Sequence, residues 1–556
     1  MTRAPLVVVG DALLDRDLDG RAERLAPDAP VPVVDDPAER RRPGGAALAA
    51  TLAATLGRRA VVLVTAVADD QAGAVLRGLL ELAGVEVVDL GLDGQTPEKI
   101  RVRAEGRSLL RLDRATRPGR VGPLDRAGRR VLAGAGAVLV ADYGRGVAAE
   151  PGVRAALADL PSRRPLVWDP HPRGATPVPG ARLATPNRAE AAGFVPEVPG
   201  TGLAAVTARA RLLADRWAAA GVAVTLGAGG ALLVEGAGAP LVVPAPATTG
   251  GDPCGAGDRF SATAAGLLAD GALPSEAVAG AVAAATAFVA TGGAATVDLH
   301  PGAPTPLHMA RSRLAAAGSA QAHLTSGDPG ATSGDPGAPH PPGPVAGRRA
   351  PGPLSRGAPP PDPSASGPPV GERSPSPAVG DPDVHSPRAN PSLTGPPPPT
   401  DSPLDRALSL IAAVRAMGGT VVATGGCFDL LHAGHVATLR SARALGDCLV
   451  VCLNSDDSVR RLKGPERPLV PQADRVAVLE ALGCVDVVVP FDERTPEAVL
   501  QRLRPDVFAK GGDYALADLP EAALLSSWGG QAVVLPYLEG RSTTQLMKEV
   551  VRRDSH

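Results

Sequence analysis

Short apolar runs, separated by glycine turns and by alanine-rich amphipathic stretches, set the rhythm of this chain at both ends. Near the start they fall at Leu6–Val9, Ala60–Val64, Ala137–Ala141, Pro165–Trp168 and Val222–Leu226. Near the end they fall at Thr420–Ala423, Cys448–Leu453, Val485–Val489, Val507–Ala509 and Ala532–Leu535. Runs of this length without polar alternation predict strands buried on both faces. The helical patterns between them predict mostly parallel sheets covered on each side. Both ends therefore read as α/β.

Between them the pattern stops. From about Ala317 to Ser402, proline, glycine and serine dominate, and Gly-Asp-Pro-Gly-Ala recurs at Gly327 and Gly334. So few large apolar residues cannot offset the conformational entropy of an ordered chain. The expected organisation is a domain over residues 1–316, a disordered linker over 317–402 and a smaller domain over 403–556. A proline-rich recognition arm around Pro396–Pro399 is the alternative for the middle.

Composition narrows the class. At 556 residues the chain exceeds one core, and a net charge of −2 without a long basic run argues against nucleic acid. Leu6-Val7-Val8-Val9 is a strand, too short for the apolar region of a signal peptide, and no stretch reaches membrane-spanning length. Five cysteines, four of them in the last third, make no disulfide framework; Cys448 and Cys452 share a strand face and read as buried thiols. A cytoplasmic protein is expected. Of 56 basic residues only Lys99, Lys463, Lys510 and Lys548 are lysine, so a lysine here marks a place where guanidinium would not serve.

Two motifs carry chemistry. Gly425-Gly426-Cys427-Phe428-Asp429-Leu430-Leu431-His432-Ala433-Gly434-His435 follows one apolar run and leads into a helical pattern, Val436 to Leu445. Histidines flanking a glycine at a strand-to-helix turn suit a nucleotide's phosphates, where backbone N–H groups and the helix dipole attract anions. The spacing also admits a metal, but the partners of a zinc site are not evident nearby. The other motif is Gly251-Asp252-Pro253-Cys254-Gly255-Ala256-Gly257-Asp258, before a helix from Arg259 through Leu268. Small residues Gly255, Ala256 and Gly257 free consecutive N–H groups to form an anion hole, and Asp258 is placed to take a proton from an attacking hydroxyl. An ordinary helix start capped by aspartate is the plainer alternative.

Gly-Ala-Gly-Asp resembles a signature of the ribokinase-like sugar kinases, and further segments match in order across nearly all of residues 1–315. The resemblance implies sugar contacts from Asp11, Asp15, Gly44 and Gly45. It implies nucleotide contacts from Thr225 and Gly227, magnesium held through water by Asn187 and Glu190, and a monovalent cation (K+) at Asp252. Ala26–Val34, Lys99-Ile100-Arg101, Arg111-Leu112-Asp113, Ala141–Gly146 and Trp168-Asp169-Pro170 are similar to lid and sugar segments of heptose-phosphate kinases. That likeness implies sugar contacts from Lys99, Arg101 and Asp142, and cations at Lys99, Arg101 and Arg103 would suit a phosphate already on the sugar. Two positions depart from the pattern: Cys254 replaces a usual threonine, and Leu48 a common asparagine.

Gly426 to His435 resembles the signature of the cytidylyltransferase-like superfamily. The resemblance implies His432, His435, Lys463 and Lys510 as transition-state donors. It implies nucleotide contacts from Gly426, Phe428, Asp429, Arg475, Ser542, Thr543 and Thr544. The implied folds are a ribokinase-like three-layer α/β/α domain with a small β lid, then a Rossmann-like nucleotidylyltransferase α/β/α domain.

The order kinase, linker, transferase resembles the bifunctional enzymes of ADP-heptose synthesis. This implies ATP and heptose phosphates as substrates, Mg2+, a separate heptose bisphosphate phosphatase acting between the steps, and pairing of subunits through the lid. A cytidylyltransferase for another small phosphorylated alcohol, or a non-catalytic regulatory half, stays open at this point.

Overall fold

A computed structural model describes residues 3–299, apart from 58, 106, 161–163, 247–249 and 298, and residues 402–536, apart from 513–518. Nearly all of the expected linker lies outside the described residues, as do Ser542, Thr543 and Thr544.

The strands in chain order begin with β1 Leu6–Gly10, β2 Ala12–Leu25, β3 Pro32–Gly45, β4 Val61–Thr65 and β5 Val85–Asp89. They continue with β6 Leu92–Asp93, β7 Glu98–Ala104, β8 Arg107–Arg114, β9 Arg120–Val121 and β10 Ala137–Ala141. The kinase-like half ends with β11 Leu166–Asp169, β12 Leu183–Ala184, β13 Gly221–Thr225, β14 Ala231–Glu235 and β15 Leu241–Val243. The smaller half contributes β16 Val421–Gly426, β17 Cys448–Asn454, β18 Val487–Phe491, β19 Val507–Gly511 and β20 Gln531–Leu535.

In the first half the order is β5-β4-β1-β10-β11-β12-β13-β14-β15, parallel through β13 and antiparallel beyond it. Every residue of β1, β4 and β10 is buried, as unbroken apolar runs require of a sheet covered on both faces. Leu6 and Val8 pack with helices Ala46–Ala54, Ala256–Ala269 and Pro274–Ala290. Val7 and Val9 pack with helices Arg126–Gly134 and Pro151–Ala158. Three layers result. The chain reverses its direction of travel across the sheet between β1 and β10, which opens a crevice at their C-terminal ends.

A separate four-stranded sheet, β3-β2-β7-β8, forms the lid. Residues 27–30, expected within a lid strand, form the turn joining β2 to β3, and the strand resumes only at Pro32. Proline at 27 and 30 supplies no ladder N–H and favours a turn there.

The smaller half is a five-stranded parallel sheet in the order β18-β17-β16-β19-β20, with its switch between β16 and β19. Cys448 and Cys452 lie buried on one face of β17, and burial pushes the thiols up to about 11 and about 12. β15 and β20 pair in parallel at Leu241 and Val534, where Val534 N–H donates to the Pro240 carbonyl at 3.1 Å. The two halves thus share one sheet edge to edge.

Candidate active sites

In the kinase-like half the functional segments converge on the crevice beyond β1 and β10. The helix Ala256–Ala269 begins at Gly255, whose φ of 78° lies in the left-handed region. A Cβ there would also come within 3.0 Å of Leu48 Cδ2, so glycine is required twice over. Asp258, the third residue of this helix, is buried, and Tyr143 Oη donates to its Oδ1 at 2.6 Å. Burial lifts the Asp258 carboxyl to about 7; the Tyr143 hydrogen bond and the Lys99 charge pull against that rise, and Asp15 adds to it.

The carboxylates expected on the sugar divide into different roles. Asp11 accepts from the backbone N–H groups of Tyr143, Arg145 and Val147 at 3.1, 2.8 and 3.0 Å, so it ties the loop after β10 to β1. Asp142 accepts from Gly144 and Ala175 N–H at 2.8 and 2.6 Å, and burial lifts it to about 6. Both anchor loops, so the geometry offers the sugar less of them than expected. Asp15, buried between Gly44 and β7, pairs with Arg101 at 2.9 Å.

Arg101 is consequently bound to Asp15 and Asp17, not turned toward the open cavity beneath the lid. That cavity, of about 190 Å³, is lined instead by Lys99, Arg111, Arg145 and Arg173 with Tyr143 and His171. Of the expected cations, Lys99 alone lines it. Arg173 was missed because it lies beyond the Trp168-Asp169-Pro170 segment, and only the fold of the β11 end brings it beside Lys99.

Asn187 and Glu190 form a capping box at the start of helix Arg188–Phe194. Glu190 Oε2 accepts from Asn187 N–H at 2.8 Å, and burial raises its carboxyl above the usual range. Its second oxygen has no capping bond, a donor set that fits a water-mediated magnesium better than direct ligation. Asn187 also bridges to Thr225, and an added Cβ at Gly227 or Gly257 would meet nothing, leaving the turn after Thr225 and the first turn of the Ala256–Ala269 helix open to a large ligand. Asp252 accepts from Cys254 N–H at 2.9 Å. Among the described residues no cluster of three metal-ligating side chains exists. Asp169, named in its motif but given no role there, is half-buried at the end of β11, and its carboxyl is pushed well up by desolvation and by Asp258 and Glu190.

In the smaller half, β16 delivers the histidine motif to the switch point. Phe428 and Leu430 hold φ values of 46° and 59°, rare for such residues, in a turn that over-determined surroundings must support. His432 caps helix Ala433–Arg443, its Nδ1 accepting from Gly434 N–H at 3.1 Å. The His435 ring stacks 3.9 Å from that of His432, and its buried Nδ1 has no hydrogen-bond partner among the described residues. Burial, then His432 and Lys463, push the His435 imidazole down to about 4.

Asp429 and Arg475 depart from the expected nucleotide contacts. Asp429 lies 2.6 Å from Arg467 Nε and accepts from Leu469 and Val470 N–H, so it fastens the loop from Arg467 to Val470. Arg475 is buried and donates to the carbonyls of Cys427, Asn454 and Val470 and to Asp456. It braces the turn from behind, with four of its five N–H groups engaged. Lys510 ends β19 next to β16, with Nζ 3.4 Å from the buried Glu521 carboxylate. Lys463 closes helix Asp456–Lys463, exposed.

Residues 3–111 and 156–300 match the pfkB family of carbohydrate kinases, and residues 423–544 match the cytidylyltransferase-like family. A bifunctional protein HldE of Streptomyces coelicolor is 52% identical over 548 residues, covering 98% of this chain and 96% of its own length. The chain belongs to the HldE family. A further HldE, from Azorhizobium caulinodans, is 34% identical over 555 residues and covers 98% of each chain. As an HldE-family enzyme the chain joins a ribokinase-like carbohydrate kinase to a cytidylyltransferase-like nucleotidyltransferase. Among the described residues no helix is long and apolar enough to cross a membrane.

Proposed function

We propose that this enzyme phosphorylates D-glycero-β-D-manno-heptose 7-phosphate at C1 with ATP, and transfers AMP from ATP to D-glycero-β-D-manno-heptose 1-phosphate, releasing pyrophosphate. The observation that carries the kinase reading is the buried Asp258 at a helix N-terminus, beside a cationic cavity that can take the sugar's distal phosphate. In the first reaction the C1 hydroxyl loses its proton to Asp258 as its oxygen attacks the γ-phosphorus, and ADP leaves as the bond from that phosphorus to the β,γ-bridging oxygen breaks. N–H groups at Gly255, Ala256 and Gly257 receive the developing negative charge. Thr225 and Gly227 border the nucleotide. Magnesium, held through water by Asn187 and Glu190, would neutralise phosphate charge, and a monovalent cation at Asp252 would reinforce the anion hole.

In the second reaction a sugar-phosphate oxygen attacks the α-phosphorus and pyrophosphate leaves, so the protein's task is alignment and charge stabilisation. We assign that to His432, His435, Lys463 and Lys510, with Gly426 and Phe428 shaping the nucleotide turn and Ser542, Thr543 and Thr544 closing it. Asp429 and Arg475 act by holding the loop and turn in place.

A separate phosphatase removes the C7 phosphate between the steps, so intermediates leave the enzyme. Residues 1–316 and 403–556 act as the two catalytic domains, in the cytoplasm. Exposed Leu109, Leu110 and Leu112 on β8 favour pairing of lids between two copies. The deciding assay offers ATP or CTP with heptose 7-phosphate and heptose 1-phosphate, following ADP and pyrophosphate separately. Pyrophosphate release with CTP and not ATP would refute the adenylyl assignment, and absence of both products would refute the whole reading.

A further inference from the structure

The Tyr143 phenol occupies a singular position. It donates to Asp258 Oδ1 at 2.6 Å, and its ring lines the cationic cavity beneath the lid. Its own placement is fixed from three sides. Asp11 receives its backbone N–H at 3.1 Å, Lys99 Nζ lies 5.5 Å over its ring, and His171 stacks on it at 6.5 Å between centroids. Burial and neighbouring carboxylates push the phenol well above its usual range, so it stays protonated and remains a donor. A group held this firmly imposes its geometry on whatever it bonds.

We propose that Tyr143 is a positioning residue for the kinase base: its phenol engages Oδ1 of Asp258 and reserves Oδ2 for the acceptor hydroxyl, while its ring floors the sugar cavity. The inference rests on Asp258 being the base. A bare carboxylate at a helix start can turn about its side-chain bonds, and one oriented hydrogen bond removes that freedom before substrate arrives. The charged and titratable groups that also face Asp258 are Lys99 on β7, Asp15 on β2 and Asp169 at the end of β11. Lys99 favours the ionised base, and the two aspartates oppose it.

Two measurements on the full chain test this. Tyr143→Phe keeps the ring and removes the donor. It is expected to lower kcat for phosphorylation roughly 10- to 100-fold, leave KM for the sugar phosphate within about threefold, and move the acid limb of kcat/KM to higher pH. Conversely, replacing the chain's three tyrosines biosynthetically with 3-fluorotyrosine makes the phenol a stronger donor without changing the fold, and moves that limb to lower pH. Adenylyl transfer by Tyr143→Phe stays unchanged. An unmoved acid limb in both samples, or a rise in KM alone, overturns the proposal. Activity retained by Asp258→Asn would instead sink the base assignment itself, which separates the two failures.

Discussion

Leu48 and Cys254 pack in one small apolar cluster with Leu52 and Ala294, against Phe288 and Val297. These are the two positions at which the kinase half departs from its family's pattern, and the structure makes them a single packing solution. Leu48 also lies where it backs the left-handed Gly255, so the cluster supports the start of the following helix from below. Restoring only the amide, Leu48→Asn, would bury a polar group in this cluster and cost about 3 kcal/mol of stability. Urea unfolding of the variant, with and without Cys254→Thr, measures the cost and whether the positions couple. Strict additivity would show that they do not.

Asp258→Asn is expected to abolish phosphoryl transfer and spare adenylyl transfer. It also carries a stability signature. The folded carboxyl is held at about 7, well above the ordinary 3.8, so its contribution is full below the unfolded value and fades as pH rises through 7. Ionising it by pH 8 costs at most about 4 kcal/mol. The asparagine variant should therefore melt higher than the parent at pH 8, with the gap closing toward pH 4. Thermal scans across that range decide it.

His435→Ala should reduce adenylyl transfer about 100-fold or more and leave the kinase untouched. Because burial beside His432 and Lys463 holds the imidazole down at about 4, it is neutral in the free enzyme at pH 7. Its NMR titration should show no protonation between pH 8 and pH 5. A midpoint near 6.5 would contradict the packed environment.

Asp429→Ala should destabilise the smaller domain by roughly 3 to 5 kcal/mol, since it strands Arg467 and two backbone donors of the following loop. The affinity for the sugar phosphate falls as the loop loosens. The kinase rate serves as the internal control, and loss of both activities would argue against separate sites.

The hydrophobic pattern settled the frame. All ten apolar runs became strands at nearly the expected limits, because an unbroken buried run has few alternatives in an α/β layer. The short antiparallel edge, β14 and β15, escaped notice because three to five apolar residues without a following helix carry little periodic signal. The helix starts that carry Asp258 and the histidine pair were legible because each motif is local, a small-residue turn leading into a helix. Tyr143, Asp169 and Arg173 were given no role, since the first two meet Asp258 from more than eighty positions away and Arg173 reaches the cavity lined by Lys99 only through the fold.

What the sequence alone determined, then, was which elements form and where small-residue turns lead into helices, both written in local spacing. Only the tertiary structure decided which charged groups face the ligand and which are consumed holding loops. Arg101, Asp429 and Arg475 look like ligand contacts in one dimension and are paired inside in three. The reason is physical: a buried charge must find its partner across the fold, and sequence distance says nothing about which partner is within reach.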